Sequence, residues 1–251
     1  MRVDERFRPD PTLDREAMER RQREIAQATV FEDDLGFDPA AVTTDDPAPD
    51  APLVAGIDQA FPGDRVVSAV VLLRGGEVLE RVGAVSEAEF PYVPGLLSFR
   101  EGNPALAALA ELQREPDLLF FDGSGRIHYR EAGLATHLGV ALGVPSLGVI
   151  KNLLCGTPAG PTDALAAGER VAIEADDRMT APPGTVVGYA LQTRQYPNST
   201  RINPVYVSPG HRISAETACD IVDRYRGGYK LPEPTRLADA YAEELKGRAG
   251  D

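Results

Sequence analysis

Apolar and polar positions divide the chain into short strands, helices and breakers. Leu53 to Ile57 is an apolar run that ends on Asp58. Arg65 to Arg74, RVVSAVVLLR, is β-branched and almost wholly apolar, which predicts a strand. Gly75-Gly76 reads as a two-residue hairpin turn, and Glu77 to Val85 as a third strand. Strand, turn, strand, turn, strand is an antiparallel meander. Asp117 to Phe121 and Pro145 to Ile150 read as buried strands separated by a helical pattern at about 131 to 143. That β-α-β arrangement predicts parallel strands. Arg170 to Ala175, Thr185 to Gln192 and Pro204 to Val207 are further expected strands.

Helix-forming residues fill 13 to 31, with Asp14 or Thr12 as the cap. Glu32 to Pro52 is rich in Asp, Pro and Ala and reads as a linker or surface arm. Gly102 should stop a short helix, with Asn103 and Pro104 opening a second over 104 to 114. Helices are also expected at 214 to 225 and after the Pro-bounded loop 231 to 236, the last carrying Asp239 in its first turn. The reading is therefore an α/β fold with one mixed sheet, an antiparallel meander followed by parallel β-α-β units, and helices on both faces. Residues 1–52 form an N-terminal helix and acidic arm, and residues 53–251 the catalytic domain.

Charge adds a constraint. The chain has 39 acidic residues against 26 basic ones, a net charge of −13, and its lysines are Lys151, Lys230 and Lys246. An acidic, lysine-poor surface suits high salt, where screening removes long-range repulsion. It argues against general nucleic-acid affinity, which comes from a basic surface, so nucleic-acid binding would need a local Arg/Lys groove. Cys155 and Cys219 offer neither metal-ligand spacing nor a disulfide framework. The charged N-terminus, MRVDERFRPD, is no signal peptide, and the apolar region Leu134 to Ile150 is too short and interrupted to span a bilayer. The expectation is a cytoplasmic protein with no membrane partner.

Candidate chemistry concentrates in a few segments. In FPYVPGLLSFRE, Phe90 to Glu101, Pro91 and Pro94 stiffen a tip that presents Tyr92 and Val93 ahead of Gly95. A stiff apolar tip suits insertion into a base stack; a buried Pro-rich turn fits the same residues. Asp58 and Asp122 each follow an apolar strand, where open α/β sheets place ligand sites. With Glu101 they could hold Mg²⁺ through oxygen ligands, although acids at strand ends also mark where a chain meets water. Asp122 to His128, DGSGRIH, lets the backbone turn sharply beside the acid and return His128 as an acid-base or phosphate contact. His137 lies within a helical pattern and reads as structural. Lys151 ends a buried strand and could pair with carboxylates or meet a phosphate. Pro209-Gly210-His211-Arg212 reads as a tight turn that could bring His211 and Arg212 to a phosphate. Asp239 is a further site acid, or a favourable charge near a helix start.

Together these segments resemble the endonuclease V family: GID at 56–58, PYVPGLLSFRE at 91–101, DGSGRIH at 122–128, GVPSLGVIKNLLCG at 143–156, SPGHRIS at 208–214 and GGYKLPEPTRLAD at 227–239. The resemblance implies a ribonuclease-H-like fold and a Mg²⁺-dependent DNA repair endonuclease, with Mn²⁺ able to substitute. It implies cleavage of the second phosphodiester bond 3′ of deoxyinosine, leaving 3′-hydroxyl and 5′-phosphate ends. Asp58, Asp122 and Glu101 would be the metal ligands and, with His128 and Lys151, the catalytic set. Tyr92 would be the wedge, with Pro91, Val93, Pro94, Gly95, His211 and Arg212 on DNA. The chain departs from the family's DGHG and HPR at Ser124 and at Tyr129, which bears on the loop's contacts. The rivals are an inosine-specific endoribonuclease and a non-catalytic binder of inosine-containing or distorted nucleic acid. A monomer is expected.

Overall fold

The computed structural model describes residues 1–45, 47–199 and 201–249. A nine-stranded sheet forms from β1 (Leu53–Ala60), β2 (Arg65–Arg74), β3 (Glu77–Glu87), β4 (Leu118–Asp122), β5 (Ser146–Ile150), β6 (Thr157–Pro158), β7 (Arg170–Glu174), β8 (Val186–Leu191) and β9 (Val205–His211). Their spatial order is β3-β2-β1-β4-β5-β9-β8-β7-β6. The first three are the expected meander, and β1, β4 and β5 run parallel. Beyond β5 every pairing is antiparallel.

Alternation of side chains across the strands builds two cores. On one face Ala55, Ile57, Leu119 and Phe121 pack with Ala105 and Leu109 of α2 (Leu97–Leu109) and Leu134 and Leu138 of α3 (Leu134–Leu142). On the other, Val54, Phe120, Val149 and Val207 pack with Cys219 and Val222 of α4 (Ala215–Arg224). That second face continues onto α5 (Glu233–Ala249), where Ala238 and Ala242 meet buried residues of β2. Strand register and these two layers leave the C-terminal ends of β1, β4 and β5 at one edge.

Several expected boundaries move. α2 is one continuous helix through Gly102 and Pro104. Gly102 is a close-packing position there, since a Cβ would meet Pro9, and Asn103 donates to the Pro9 carbonyl instead of capping. Tertiary packing outweighs the one helical hydrogen bond that Pro104 removes. α5 begins at Glu233, because proline is tolerated in a first turn, so Asp239 lies in its second turn. Pro209-Gly210-His211 is no tight turn: these residues form the end of β9, paired with β5.

The N-terminal segment packs closely on this body. α1 (Arg15–Ala28) is capped by Asp14, whose carboxylate accepts from Ala17 N. Within the stretch expected as an arm, in which Asp46 lies outside the described residues, Pro39–Ala41 forms a 3-10 helix and neighbouring residues pack on the body. Val42 is buried in the core under α4, with Leu35 and Phe37 packed against it. Asp33 accepts from Ser214 N and Thr217 Oγ1 at the start of α4.

Gly56 fixes the distance between β1 and the entry to α5. A Cβ there would lie 2.0 Å from the Pro234 carbonyl oxygen. Backbone cannot yield as a side-chain tip can. Gly56→Ala is therefore expected to lower stability by about 2 kcal/mol or more, measured by urea unfolding at constant high salt. An unchanged midpoint would show that α5 can move away from β1 freely.

Candidate metal centre and nucleic-acid tip

Strand register creates the site. Ile57 pairs with Phe121 across parallel β1 and β4, so the next residue on each strand is an acid, Asp58 and Asp122. Both project to the face covered by α5, which supplies Asp239. One carboxylate oxygen from each of Asp58, Asp122 and Asp239 lies within 4.8 Å of the others. Asp122 pairs in register with Val149, so β5 ends beside it and delivers Lys151. The Lys151 ammonium lies 3.1 Å from Asp122 Oδ2 and 3.8 Å from Asp239 Oδ1.

Glu101, the expected third ligand, stands outside this group of three. It sits on α2, across the sheet, while Asp239 reaches the acids from α5. Glu101 is buried, and the Gln59 side chain donates to its backbone carbonyl at 2.8 Å, joining α2 to β1.

The charge is poorly compensated. Burial, then repulsion by Asp122, pushes the Asp58 carboxyl up to about 8, against a donated hydrogen bond from Gln59 N. Burial also raises Asp122, although Lys151 opposes that shift. Glu101 is pushed up to about 8, chiefly by burial. For Lys151 burial pulls the ammonium down, but attraction by Asp122 and Asp239 prevails and the net shift is upward. Hard oxygen donors that repel one another fit a divalent cation of the Mg²⁺ kind, and the fit rests on this donor set.

A second feature borders the loop that follows Asp122, at Ser124 and His128. Tyr92 is 66% exposed at the crest of the segment between β3 and α2. Behind it a recess of about 80 Å³ is lined by residues including Pro94, Gly95, Ser124, His128, Leu134 and Gln22. The Gly95 carbonyl anchors the crest. It accepts from Gln22 Nε2 at 2.9 Å, from His128 Nε2 at 3.0 Å and from Arg130 at 3.4 Å. Arg130 N donates to His128 Nδ1, so the ring is neutral with its proton on Nε2. Burial, then the Arg130 charge, lowers its pKa to about 4, in keeping with that state. His128 thus holds the tip, whereas Lys151 is the residue that touches the acids.

The remaining positions are less central. His211 is buried at the opposite end of the sheet, next to Ser146, and its Nδ1 accepts from Val30 N. Arg212 pairs with Asp34 and donates to the Gly143 carbonyl. Antiparallel β9 carries both away from the carboxylate edge. His137 is structural, donating to the Phe7 carbonyl and accepting from Ser98 Oγ. Gln22 was not singled out from the sequence. Its signal is a polar residue between Met18 and Ile25 on the buried stripe of α1. Ser124 stands where the backbone is pressed flat: a Cβ on Gly125 would meet the Pro209 carbonyl at 2.2 Å.

The sequence matches the endonuclease V family over residues 39–240. An endonuclease V of Natronomonas pharaonis is 61% identical over 246 residues, covering 98% of this chain and 97% of its own length. That haloarchaeal relative is consistent with the salt adaptation expected from charge. The crystal structure of an endonuclease V from Streptomyces avermitilis superposes with a TM-score of 0.78 at 33% identity, covering 96% of both chains. The Ciona intestinalis endonuclease V, in complex with a 24mer DNA containing an inosine followed by a ribo-adenosine, has a TM-score of 0.73 at 23% identity, covering 94% of this chain and 100% of its own. The shared architecture is the ribonuclease-H-like nuclease fold. Among the described residues no helix is long and apolar enough to cross a membrane.

The raised Asp58 pKa has a definite sign for stability. The folded state holds its proton above the usual carboxylate range, so metal-free stability falls as pH rises from about 4 towards 8. Asp58→Asn removes that penalty. In EDTA the variant is expected to be more stable than the parent by an amount that grows to a few kcal/mol, roughly, by pH 8. A divalent cation should reverse the order, because it stabilises the full three-aspartate cluster of the parent more than the variant. Thermal melts at pH 5 and 8 check this, and a pH-independent difference would contradict the assigned charge repulsion.

Proposed function

The chain belongs to the endonuclease V family, and from that membership we propose that it is a Mg²⁺-dependent endonuclease acting on DNA that contains deoxyinosine. The observation that carries this reading is the Asp58–Asp122–Asp239 cluster, accompanied by an exposed tyrosine tip in the same chain. The cut is at the second phosphodiester bond 3′ of the lesion, leaving 3′-hydroxyl and 5′-phosphate ends.

The three aspartates would hold the cation, and Glu101, buried on α2, feels the charge of Asp122 from the other face of the sheet. When bound, Mg²⁺ polarises the phosphoryl oxygen and lowers the pKa of attacking water. Lys151, already between Asp122 and Asp239, brings a positive charge to meet the phosphate. Tyr92, flanked by Pro91, Val93 and Pro94, fills the gap left in the stack, and the recess behind Gly95 takes the extruded base. His128 fixes the Gly95 carbonyl, so its role here is positioning. The inosine-containing DNA bound by the Ciona protein supports this substrate class.

The test is cleavage of a labelled duplex with one deoxyinosine, in Mg²⁺ and in EDTA, across a salt series, beside an inosine-containing RNA strand. A single metal-dependent cut one nucleotide beyond the lesion is expected. Binding without a cut at every salt would favour a non-catalytic binder, and faster RNA cleavage an endoribonuclease. Asp122→Ala should abolish cutting and leave lesion binding largely intact, whereas Tyr92→Ala should weaken lesion binding by about tenfold. Substantial turnover by Asp122→Ala would remove that residue from the metal site.

A further inference from the structure

An acidic protein that cuts a polyanion needs a place for the strand. Residues 178–215 are the longest stretch of the chain without Asp or Glu, although acids make up 39 of 251 residues. Topology brings the middle of that stretch to the catalytic edge. Tyr206 pairs with Ile150, the residue before Lys151, and Val205 pairs with Leu191. The connection from β8 to β9 therefore opens at the same sheet edge as Asp58, Asp122 and Lys151.

That connection is tied to a second acid-free turn, Arg226 to Pro232. Thr193 Oγ1 donates to the Lys230 carbonyl at 2.5 Å. Burial, and after it the charge of Lys151, pulls the Lys230 ammonium below its ordinary range. Of these two lysines, Lys151 touches Asp122 and Asp239 directly. Aromatic rings accompany the charge. Arg194 lies over the Tyr196 ring at 5.1 Å, and Arg236 over the Tyr229 ring at 4.6 Å. Among the described residues the exposed tyrosines are Tyr92, Tyr196 and Tyr229. Cationic groups for phosphates beside exposed rings for bases form the chemistry of a single-strand platform.

We infer that Arg194 and Tyr196, with Tyr229 and Lys230, bind the phosphates and flanking bases of the nucleic-acid strand that enters the carboxylate cluster. The inference rests on the proposed function and adds its strand-binding surface. Salt divides the labour. Cation–phosphate contacts weaken as salt rises, because counterion release drives them. Stacking on tyrosine does not depend on counterions, so it retains affinity where the lysine and arginine contacts fade.

The experiment measures fluorescence anisotropy of a labelled single strand with one deoxyinosine, from low to molar KCl. It uses Asp122→Ala protein in EDTA so that the strand stays intact. Arg194→Ala and Lys230→Ala should each reduce the slope of log affinity against log salt by about 0.7. Arg194→Lys and Lys230→Arg should restore it. Tyr196→Ala and Tyr229→Ala should weaken binding by roughly tenfold at low and high salt alike. Lys246→Ala, on the far part of α5, should match the parent. Thermal melts confirm that each variant is folded. Parent-like slopes and affinities in all four alanine variants would overturn the inference, as would an equal loss in Lys246→Ala. If the unmutated protein cuts deoxyinosine DNA while those variants bind normally, only this inference fails. If it neither cuts nor binds, the proposed function fails as well.

Discussion

Ile57 and Phe121 pair on adjacent parallel strands, so the residue that follows each is forced to the same sheet edge. Both followers are aspartates. Their side chains point to the face on which α5 lies, and α5 adds Asp239 to the pair. Nothing in the surrounding hydrophobic layers compensates the charge. Lys151 supplies part of it, and the rest appears as raised carboxyl pKa values. A cluster that is costly without a cation is well suited to bind one. The fold sustains it because β1, β2, β4 and β5 are buried on both faces and cannot slip in register without moving their apolar residues out of the cores.

The tip depends on a different interaction. Gly95 offers one carbonyl, and three side chains from α1 and the segment after β4 converge on it. Pro91 and Pro94 restrict the backbone on one side of that anchor, and α2 begins on the other. The exposed Tyr92 therefore stands on a fixed base rather than a free loop. A rigid base matters for a wedge, because a mobile one would lose entropy on each insertion. The N-terminal helix is thus part of the tip's support, through Gln22.

The charge distribution connects stability with approach to a polyanion. Many acids sit in surface ion pairs, such as Arg15–Glu19 and Arg8–Glu5, which contribute little individually. The acid-free stretch and Lys151 stand apart from that background at the catalytic edge. High salt screens the repulsion between the acidic surface and a phosphate backbone. The local cations and rings then act with little opposition from the rest of the surface.

By itself the sequence determined the strand-rich first half, the meander, the β-α-β unit and the family motifs, because those rest on local periodicity and on short contiguous segments. It marked Asp58 and Asp122 by their position after apolar runs, and Lys151 by its rarity and its strand. It could not show what depends on contacts between distant segments. Glu101 reads from the sequence as a partner of Asp58 and Asp122, and only the packing of α5 shows that Asp239 reaches the same two acids from the other face. Gly102 and Pro104 look like breakers until Pro9 packs against the helix. SPGH looks like a turn until β5 pairs with it. His128 reads as an acid-base or phosphate contact, and only the folded chain shows its two ring nitrogens bonded to Gly95 and Arg130. Each of these outcomes is set by packing and register across many residues, which no local pattern encodes.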